Sequence, residues 1–307
     1  MKITISGGTG MIGSAICYAL LAEGHDVTAI SRDCARAAQA LPVGIKGVDW
    51  SGRNWQDVVQ QSDAIINLAG ESVGGARWTP EFKETIRSSR VMTTQKLVDA
   101  LLNRPDIGSS AVLVSASAVG YYGDCGDDTV TEERGPGSDF LAEVCRQWEA
   151  EAERASTGGV RVARMRIGLV LARTGALHKM LYPFPGPISP YKLGLGGPLG
   201  SGKQWWPWIH IDDVVALFMM ALHNSSATGA INVTSPQPVR NRDFAHAIGT
   251  CLGRPAVLSA PSAAIRMIAG EFSHALLTGQ RAIPAAAERL GYSFKYTDLN
   301  EALKSLL

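Results

Sequence analysis

The sequence predicts an α/β fold with a doubly wound parallel β-sheet and a small, mostly helical C-terminal region. Two observations predict this fold class. Short apolar runs alternate with amphipathic stretches through the first half of the chain, and the residues beyond about 235 are mainly helical in pattern. Such alternation is typical of a parallel sheet that helices cover on both faces.

The elements follow from apolar periodicity and from residues that begin or end helices. Strands are expected at residues 2–6, 27–30, 64–67, 111–115, 162–167 and 230–233. Helices are expected at residues 11–23, 80–102, 140–155 and 212–223. Gly24 stands where a glycine commonly follows a helix, and Thr79 can cap the helix that begins at Pro80.

Composition divides the chain into three parts. Residues 182–208 contain six of the 15 prolines and six glycines, and loops of that length tend to be functional. We therefore expect an N-terminal α/β domain at 1–171, to which 208–234 return. An irregular substrate-loop region would occupy 172–207, and a small C-terminal domain 235–307.

Charge and cysteine content exclude several classes of protein. Lys and Arg number 29 and Asp and Glu 28, a balance that argues against binding to nucleic acid or to an anionic membrane surface. No apolar run approaches the roughly 20 residues of a membrane-spanning helix. The cysteines form no C-x-x-C motif and indicate a cytoplasmic protein with reduced thiols; they are Cys17, Cys34, Cys125, Cys145 and Cys251.

A glycine-rich turn joins the first predicted strand to the first predicted helix. Its glycines have the spacing G-x-x-G-x-x-G, which permits a tight turn and close approach of the backbone to a pyrophosphate. An ordinary strand-to-helix turn is the alternative, and the strand and helix on either side favour the dinucleotide site. The expected contacts are Gly7, Thr9, Gly10, Met11, Ile12 and Gly13.

The end of the second predicted strand indicates which dinucleotide binds. A site for NAD usually has an acidic residue there, which binds the ribose 2′-hydroxyl. Here Ser31 and Arg32 stand at the strand end, and Asp33 comes one position late. Because a guanidinium binds a phosphate through paired hydrogen bonds, NADP(H) is favoured over NAD(H).

Several motifs together resemble those of the atypical "epimerase family" branch of the extended short-chain dehydrogenase/reductases. They are GGTGMIG, NLAGE, Ser89-Arg90, Tyr121-Tyr122-Gly123, LGLGGPLGSG and WIHIDD. The resemblance spans essentially the whole chain and implies a Rossmann-type domain that binds NADP(H), with a small C-terminal region over the cleft. It also implies cofactor contacts from Asn67, Leu68, Ala69, Gly70, Glu71 and Arg90; for Arg90 a solvated helix face is the alternative.

The usual proton relay of that superfamily is absent. Members that transfer hydride usually have a tyrosine followed four residues later by a lysine, which lowers the pKa of the phenol. None of the seven tyrosines has lysine at that position. On the helix expected at 140–155, Phe140 or Leu141 takes the place of the tyrosine, and Val144 or Cys145 that of the lysine.

Other residues could serve in its place. Ser115 and Ser117 lie at the end of a predicted central strand, where a hydroxyl could polarise a carbonyl group or cap the strand. Tyr122 could act as an acid, although packing or shaping of the substrate site is favoured for it and for Tyr121. His210 is more readily a structural anchor than a base.

Two further patterns are weak. The segment 197–204 (GPLGSGKQ) resembles a phosphate-binding loop, but Gln204 replaces the hydroxyl residue and no helix follows. It is interpreted as a segment beside the cleft, with aromatic surface from Trp205, Trp206 and Trp208, at least one of them in the core. The remaining histidines lack metal-ligand spacing, so no metal site is expected.

Two functions fit the sequence. The first is an NADP(H)-binding oxidoreductase or epimerase-like enzyme that acts on an unidentified small molecule. The alternative is a catalytically inactive protein that binds NADPH as a regulator or scaffold. Neither the substrate nor the oligomeric state follows from the sequence.

Overall fold

The computed structural model describes residues 1–52, 54–104, 111–183 and 186–307, with the backbone alone at 34–36. The strands are β1 Lys2–Ser6, β2 Asp26–Ser31, β3 Lys46–Asp49, β4 Ala64–Asn67, β5 Val112–Ala118, β6 Thr129–Val130, β7 Arg161–Ile167, β8 Leu169–Leu171, β9 Trp205–Trp206, β10 Trp208–His210, β11 Gly229–Val233, β12 Val239–Arg240 and β13 Arg281–Ala282. The helices are α1 Met11–Ala22, α2 Cys34–Ala40, α3 Asn54–Gln60, α4 Pro80–Leu102, α5 Phe140–Glu153, α6 Ala176–Leu181, α7 Ile211–His223, α8 Asn241–Leu252, α9 Ser262–Ala269, α10 Ser273–Leu277, α11 Ala285–Arg289 and α12 Leu299–Lys304.

Seven of these strands form one parallel sheet, in the order β11-β7-β5-β4-β1-β2-β3. From β1 the chain first builds outward through β2 and β3. It then returns to the other side of β1 and builds through β4, β5, β7 and β11. The predicted fold class is confirmed. The order reverses between β1 and β4, and open parallel sheets bind ligands beyond the strand ends at such a point.

Apolar cores cover both faces of this sheet. On one face α1 and α7 contribute Ile16, Leu20, Leu217 and Phe218 to a buried cluster. On the other face α3, α4 and α5 contribute a second cluster that includes Trp55, Leu97, Leu101 and Ala152. Helices therefore lie on both faces, as expected for strands that are apolar along their whole length.

The predicted elements agree with the structure where local signals are strong. Helix α4 has the predicted bounds, and the Thr79 side chain accepts a hydrogen bond from the Phe82 N–H at 3.2 Å. Gly24 follows α1 with a φ of 76°. Strand β3 was not predicted because its sequence, Lys-Gly-Val-Asp, has one large apolar residue and lies at the edge of the sheet.

The C-terminal residues pack against the carboxyl edge of the sheet and against their own core. Strand β13 pairs with β6, which follows β5, and β12 pairs with β9. A third buried cluster joins Trp208 and Phe244 to Leu299 and Leu303 of α12. The segment expected to be irregular contains α6, and residues 184–185 within it lie outside the described residues. The boundaries at 171, 207 and 234 stay predictions.

The described helices include none that is both long and apolar enough to cross a membrane. Helix α4 has 23 residues, but charged side chains are distributed along it.

Arg161 closes the C-terminal end of α7. Its guanidinium donates hydrogen bonds to the carbonyl oxygens of Ala221 and Ala227 at 2.7 Å and of Leu222 at 2.8 Å. Carbonyl groups at a helix end lack partners within the helix, and a cation there also complements the helix dipole.

We expect Arg161→Met to lower the free energy of unfolding by about 2–3 kcal/mol, because three hydrogen bonds from a charged group are lost. Urea denaturation measures the change. The matched control is Arg146→Met, since Arg146 is an exposed residue that pairs with Glu143 on the same helix, and we expect a loss below about 0.5 kcal/mol. Equal losses in the two variants would contradict the role assigned to Arg161.

Candidate functional site

The turn between β1 and α1 depends on close backbone contacts. Gly7 has a φ of 79°, and a Cβ atom there would lie 2.7 Å from the carbonyl carbon of Leu68. A Cβ on Gly13 would overlap the carbonyl oxygen of Gly7. Only glycine therefore lets α1 begin so close to the end of β1, next to the strand end of β4.

The N-terminus of α1 can receive an anion. Gly10 is its N-cap and supplies no side-chain hydrogen bond. The first N–H groups of a helix have no partner within the helix, and the helix dipole is positive there. A pyrophosphate fits this position, because the backbone can donate hydrogen bonds to it without an intervening side chain.

A cavity of about 580 Å³ extends from this turn across the ends of β1, β2 and β4. Of the predicted cofactor contacts, it is lined by Gly7, Thr9, Gly10, Ser31, Arg32, Leu68, Ala69, Gly70 and Glu71. Seven further lining residues were not predicted as contacts: Ser6, Ile30, Trp50, Ser72, Ser89, Thr93 and Lys96. The last three of these lie on α4 at helical spacing, a signal that could have revealed them.

The remaining predicted contacts lie around the cavity rather than in its lining. Met11, Ile12 and Gly13 form the first turn of α1. Asn67 is fully buried at the end of β4, and its amide nitrogen donates to the Thr94 hydroxyl at 2.7 Å. Asn67 thus fixes the end of β4, from which the loop 68–72 that lines the cavity continues.

Arg90 lies beneath that loop. A Cβ atom on Gly70 would lie 3.0 Å from the guanidinium carbon of Arg90, which also faces the Trp148 ring at 5.4 Å. Its Nη1 donates to the carbonyl oxygen of Ile86 at 3.0 Å. Burial lowers the pKa of this arginine. The side chain supports the loop and is not a solvated helix face; its contact with a cofactor phosphate stays a prediction.

The 580 Å³ cavity, which we call the cofactor cavity, carries positive charge at the end of β2. The Arg32 side chain is 87% exposed, and its Nη1 lies 4.0 Å from a carboxylate oxygen of Glu71. Lys96 of α4 also lines the cavity. The Ser31 hydroxyl accepts a hydrogen bond from the Asp33 N–H at 3.2 Å, which forms a turn directly after the strand.

The three hydroxyl groups proposed for catalysis are buried and hydrogen-bonded within the protein. Ser117 donates to Glu149 at 2.7 Å, and Ser115 accepts from the Asn67 amide at 3.4 Å. The Tyr122 hydroxyl donates to Asn232 at 2.7 Å. All three side chains are at most 2% exposed, and burial raises the pKa of Tyr122 to about 12. None of the three residues lines the cofactor cavity or the one beyond the ends of β5 and β7.

Arg166 links two of these hydroxyls, those of Ser117 and Tyr122, in one network through Glu149. It pairs with Glu149 through hydrogen bonds of 2.8 and 2.9 Å and donates to the Tyr122 hydroxyl at 3.0 Å. Its guanidinium also lies 3.6 Å from the centre of the Tyr121 ring. Burial opposes the charge of Arg166, but the hydrogen bonds and the attraction of Glu149 raise its pKa above the ordinary value.

A second cavity, of about 710 Å³, lies beyond the ends of β5 and β7. We call it the substrate-side cavity. Its floor includes Val119, Ile167 and Gly168, and its cover comes from residues 266–280 of the C-terminal region. Phe140 and Leu141, which stand where the superfamily's tyrosine would, both line it. Its titratable lining residues are Asp139, Arg266, Glu271 and His274.

The glycine-rich segment 197–204, His210 and Trp208 have structural roles. The Gln204 amide donates to the carbonyl oxygens of Leu199 and Leu276 at 3.1 and 3.0 Å, which fixes the glycine-rich segment. His210 caps α7 by accepting from the Asp212 N–H at 3.1 Å. Trp208 is fully buried, while Trp205 and Trp206 line the substrate-side cavity.

The fold, the glycine turn and the cationic cavity define a dinucleotide-binding protein of the Rossmann type. The family model "NAD dependent epimerase/dehydratase family" matches residues 3–234, and "Domain of unknown function (DUF1731)" matches residues 260–306. The chain belongs to the NAD-dependent epimerase/dehydratase family, as the resemblance implied.

Relatives are similar over nearly the whole chain. The chloroplastic homolog of epimerase family protein SDR39U1 from Arabidopsis thaliana is 40% identical over all of this chain and 87% of its own. Epimerase family protein Mb2239 of Mycobacterium bovis is 37% identical over 98% of this chain and 96% of its own.

Solved structures agree with the fold. Human epimerase family protein SDR39U1 with NADPH is 32% identical, with a TM-score of 0.84 over 100% of this chain and 99% of that one. UDP-glucuronic acid 4-epimerase of Bacillus cereus, with UDP-glucuronic acid and NAD, is 18% identical over 99% of this chain and 97% of its own. Its TM-score is 0.74, and at that identity the likeness shows the fold alone.

The position of Tyr122 gives a prediction that separates structure from catalysis. Tyr122→Phe leaves Asn232 and Arg166 each short of a hydrogen-bond partner in the core, so we expect a loss of about 1–3 kcal/mol in the free energy of unfolding. NADPH affinity should not change, because the hydroxyl does not line the cofactor cavity. Urea denaturation and an NADPH titration measure both quantities.

The control is Tyr18→Phe, since Tyr18 is 63% exposed on α1. It should change neither quantity. Unchanged stability together with weaker nucleotide binding in Tyr122→Phe would show that this hydroxyl serves the site directly.

Proposed function

We propose that this chain is an NADP(H)-dependent oxidoreductase that transfers hydride between the nicotinamide and a small molecule held in the substrate-side cavity. The observation that carries the proposal is the place of Arg32, at the end of β2 and in the lining of the cofactor cavity. The proposal includes epimerase-like reactions that begin with such a hydride transfer. The cofactor, when bound, supplies or accepts the hydride.

The preference for NADP(H) rests on charge. Arg32 is exposed, and its distance of 4.0 Å from Glu71 is long for an ion pair, so the guanidinium can turn toward a 2′-phosphate. Lys96 supplies a second positive charge in the same cavity. The human relative that is 32% identical was solved with NADPH, which supports the same cofactor here.

Different parts of the chain would surround the phosphate end and the nicotinamide end of the cofactor. The first turn of α1 and Arg32 would bind its phosphates. The substrate-side cavity begins at the ends of β5 and β7, and the C-terminal residues 266–280 cover it. Excluding water from a reacting carbonyl in this way strengthens local electrostatic interactions and prevents side reactions.

A proton donor other than tyrosine is needed. His274 lines the substrate-side cavity, and its Nε2 lies 3.8 Å from a carboxylate oxygen of Asp139. Asp139 directly precedes Phe140 and Leu141, one of which stands where the superfamily's tyrosine would. Because an imidazole can both donate and accept a proton, we assign His274 as the proton donor and Asp139 as its positioning residue.

An NADPH-binding regulator is the second candidate. The burial of Ser115, Ser117 and Tyr122 favours it, since the hydroxyls at the end of β5 are occupied by structural hydrogen bonds. The two candidates differ in turnover: the enzyme oxidises bound NADPH when a carbonyl substrate is present, whereas the regulator binds NADPH without consuming it.

Arg32→Ala tests the cofactor assignment. We expect the dissociation constant for NADPH to rise about 10–100-fold and that for NADH to stay within about twofold, because only NADPH carries the 2′-phosphate that pairs with the guanidinium. Calorimetric titration of both nucleotides measures this. Arg289→Ala, at an exposed arginine of α11, is the matched control.

Equal losses for NADPH and NADH in Arg32→Ala would overturn the NADP(H) preference. Binding of neither nucleotide by the unaltered protein would overturn the proposed function as a whole.

A further inference from the structure

The substrate-side cavity has a wall of three aromatic rings. The Trp78 ring lies 5.1 Å from that of Phe140, edge to face, and 5.6 Å from that of Phe272. The Trp78 N–H donates to the carbonyl oxygen of Val73 at 2.8 Å, so its polar edge is already satisfied. This cluster spans the N-terminal domain and the C-terminal region, and it offers a ligand flat apolar surface.

The other walls are also apolar. Leu141, Ile167, Leu169 and Met180 line the cavity from the sheet side, and Leu276 and Leu277 line it from the cover. Pockets lined mainly by such side chains bind apolar ligands and orient them with a few polar groups.

The charged groups of the lining are unsuited to a diphosphate. The Asp139 carboxylate caps α5 by accepting from the Ala142 N–H at 2.9 Å, so this helix N-terminus is closed to a phosphate. Glu271 is paired with Lys83 at 2.8 Å. Arg266 is the one guanidinium among the described lining residues, and the same lining contains the two carboxylates.

Two further arginines lie near the cavity without lining it. Arg240 and Arg281 face the Trp205 ring at 4.4 and 4.7 Å, and Arg240 is paired with Asp127 at 2.9 Å. The Trp205 ring and the Asp127 carboxylate are thus the partners of these guanidinium groups, and neither arginine lines the cavity.

We propose that the substrate is an apolar, ring-containing carbonyl compound and not a nucleotide sugar. The carbonyl part of this statement rests on the proposed function, and the apolar part rests on the cavity walls. The ring system lies against Trp78 and Phe272, and the carbonyl oxygen faces His274, which with Asp139 forms the polar corner of the cavity.

The test uses the full chain saturated with NADPH and titrated calorimetrically with α-tetralone, β-ionone and UDP-glucose. We expect one or both ketones to bind saturably and UDP-glucose not to bind. Phe272→Ala should weaken ketone binding about tenfold or more, because an aromatic wall of the site is lost. The matched control is Phe294→Ala, which also removes a half-buried ring from a single aromatic pair but leaves the cavity intact.

Binding of UDP-glucose in preference to the ketones overturns the proposal. So does the absence of ketone binding in the millimolar range, or ketone binding that Phe272→Ala does not weaken. These results leave the proposed function standing as long as NADPH binds and depends on Arg32. Failure of NADPH to bind removes both.

A separate observation concerns three metal-ligating side chains on the opposite side of the molecule. His25 Nε2 and His223 Nε2 lie 3.1 and 2.8 Å from the same carboxylate oxygen of Glu23. One donor atom from each residue lies within 4.8 Å of the others. Glu23 is the C-cap of α1 and His223 is the last residue of α7, so two negative helix ends converge there.

We infer that Glu23, His25 and His223 form a binding site for a divalent transition-metal ion such as Zn²⁺. Two imidazole nitrogens and a carboxylate oxygen are a ligand set that such ions accept, with a fourth position open to water. The Met1 amino group lies 3.4 Å from His25 Nδ1, a contact that the metal-bound tautomer gives up. The ion would link the ends of α1 and α7.

The test is a calorimetric titration of EDTA-treated protein with ZnCl₂. We expect binding of one ion, and at least about tenfold weaker binding in His223→Ala, because one of three protein ligands is removed. His178→Ala, at an exposed histidine of α6, should bind like the unaltered protein. Equal affinity of the unaltered protein and His223→Ala overturns the site.

Discussion

The buried ion pair between Glu149 and Arg166 is the interaction on which the rest of the site depends. Two charges taken out of water are stable only when they are paired and fully hydrogen-bonded, and this pair recruits Ser117 and Tyr122 for that purpose. Through Tyr122 it reaches Asn232, whose amide donates to the carbonyl oxygen of Ile283. The pair thus fastens β5, β7, β11 and the C-terminal region to one another.

This network also divides the molecule chemically. Because it takes the hydroxyl groups near the end of β5, the cavity beyond that strand is left with Val119 and Gly120 and with apolar walls. The cofactor cavity has the opposite character, with helix N–H groups, Arg32 and Lys96. Phosphates and an apolar reactant can therefore occupy neighbouring sites, each in the environment that favours it.

Local patterns predicted the parts of this arrangement that depend on neighbours in sequence. The turn at Gly7 and Gly13, the cap at Thr79 and the position of Arg32 all follow from residues within one strand–helix unit. The burial and hydrogen bonding of the Tyr122 hydroxyl could not be predicted, since its partners, Arg166 on β7 and Asn232 on β11, are distant in sequence. Likewise Glu23 and His25 meet His223 only because α1 packs against α7, so sequence spacing alone could not show that these three side chains lie together.

The missing tyrosine and lysine have a consequence for where specificity resides. With Phe140 or Leu141 in place of the tyrosine, the N-terminal part of the chain contributes apolar side chains and the helix cap of Asp139 to the substrate-side cavity. The dissociable group that faces this cap, His274, and the ring that packs against Trp78, Phe272, both come from the C-terminal region. Under the proposed function, residues 266–280 thus supply both the proton donor and an aromatic wall that selects the substrate. The nucleotide is bound by other residues, those at the ends of β1, β2 and β4. Such a segment can change its substrate without disturbing the cofactor site, because the two cavities share no lining residue in the described chain.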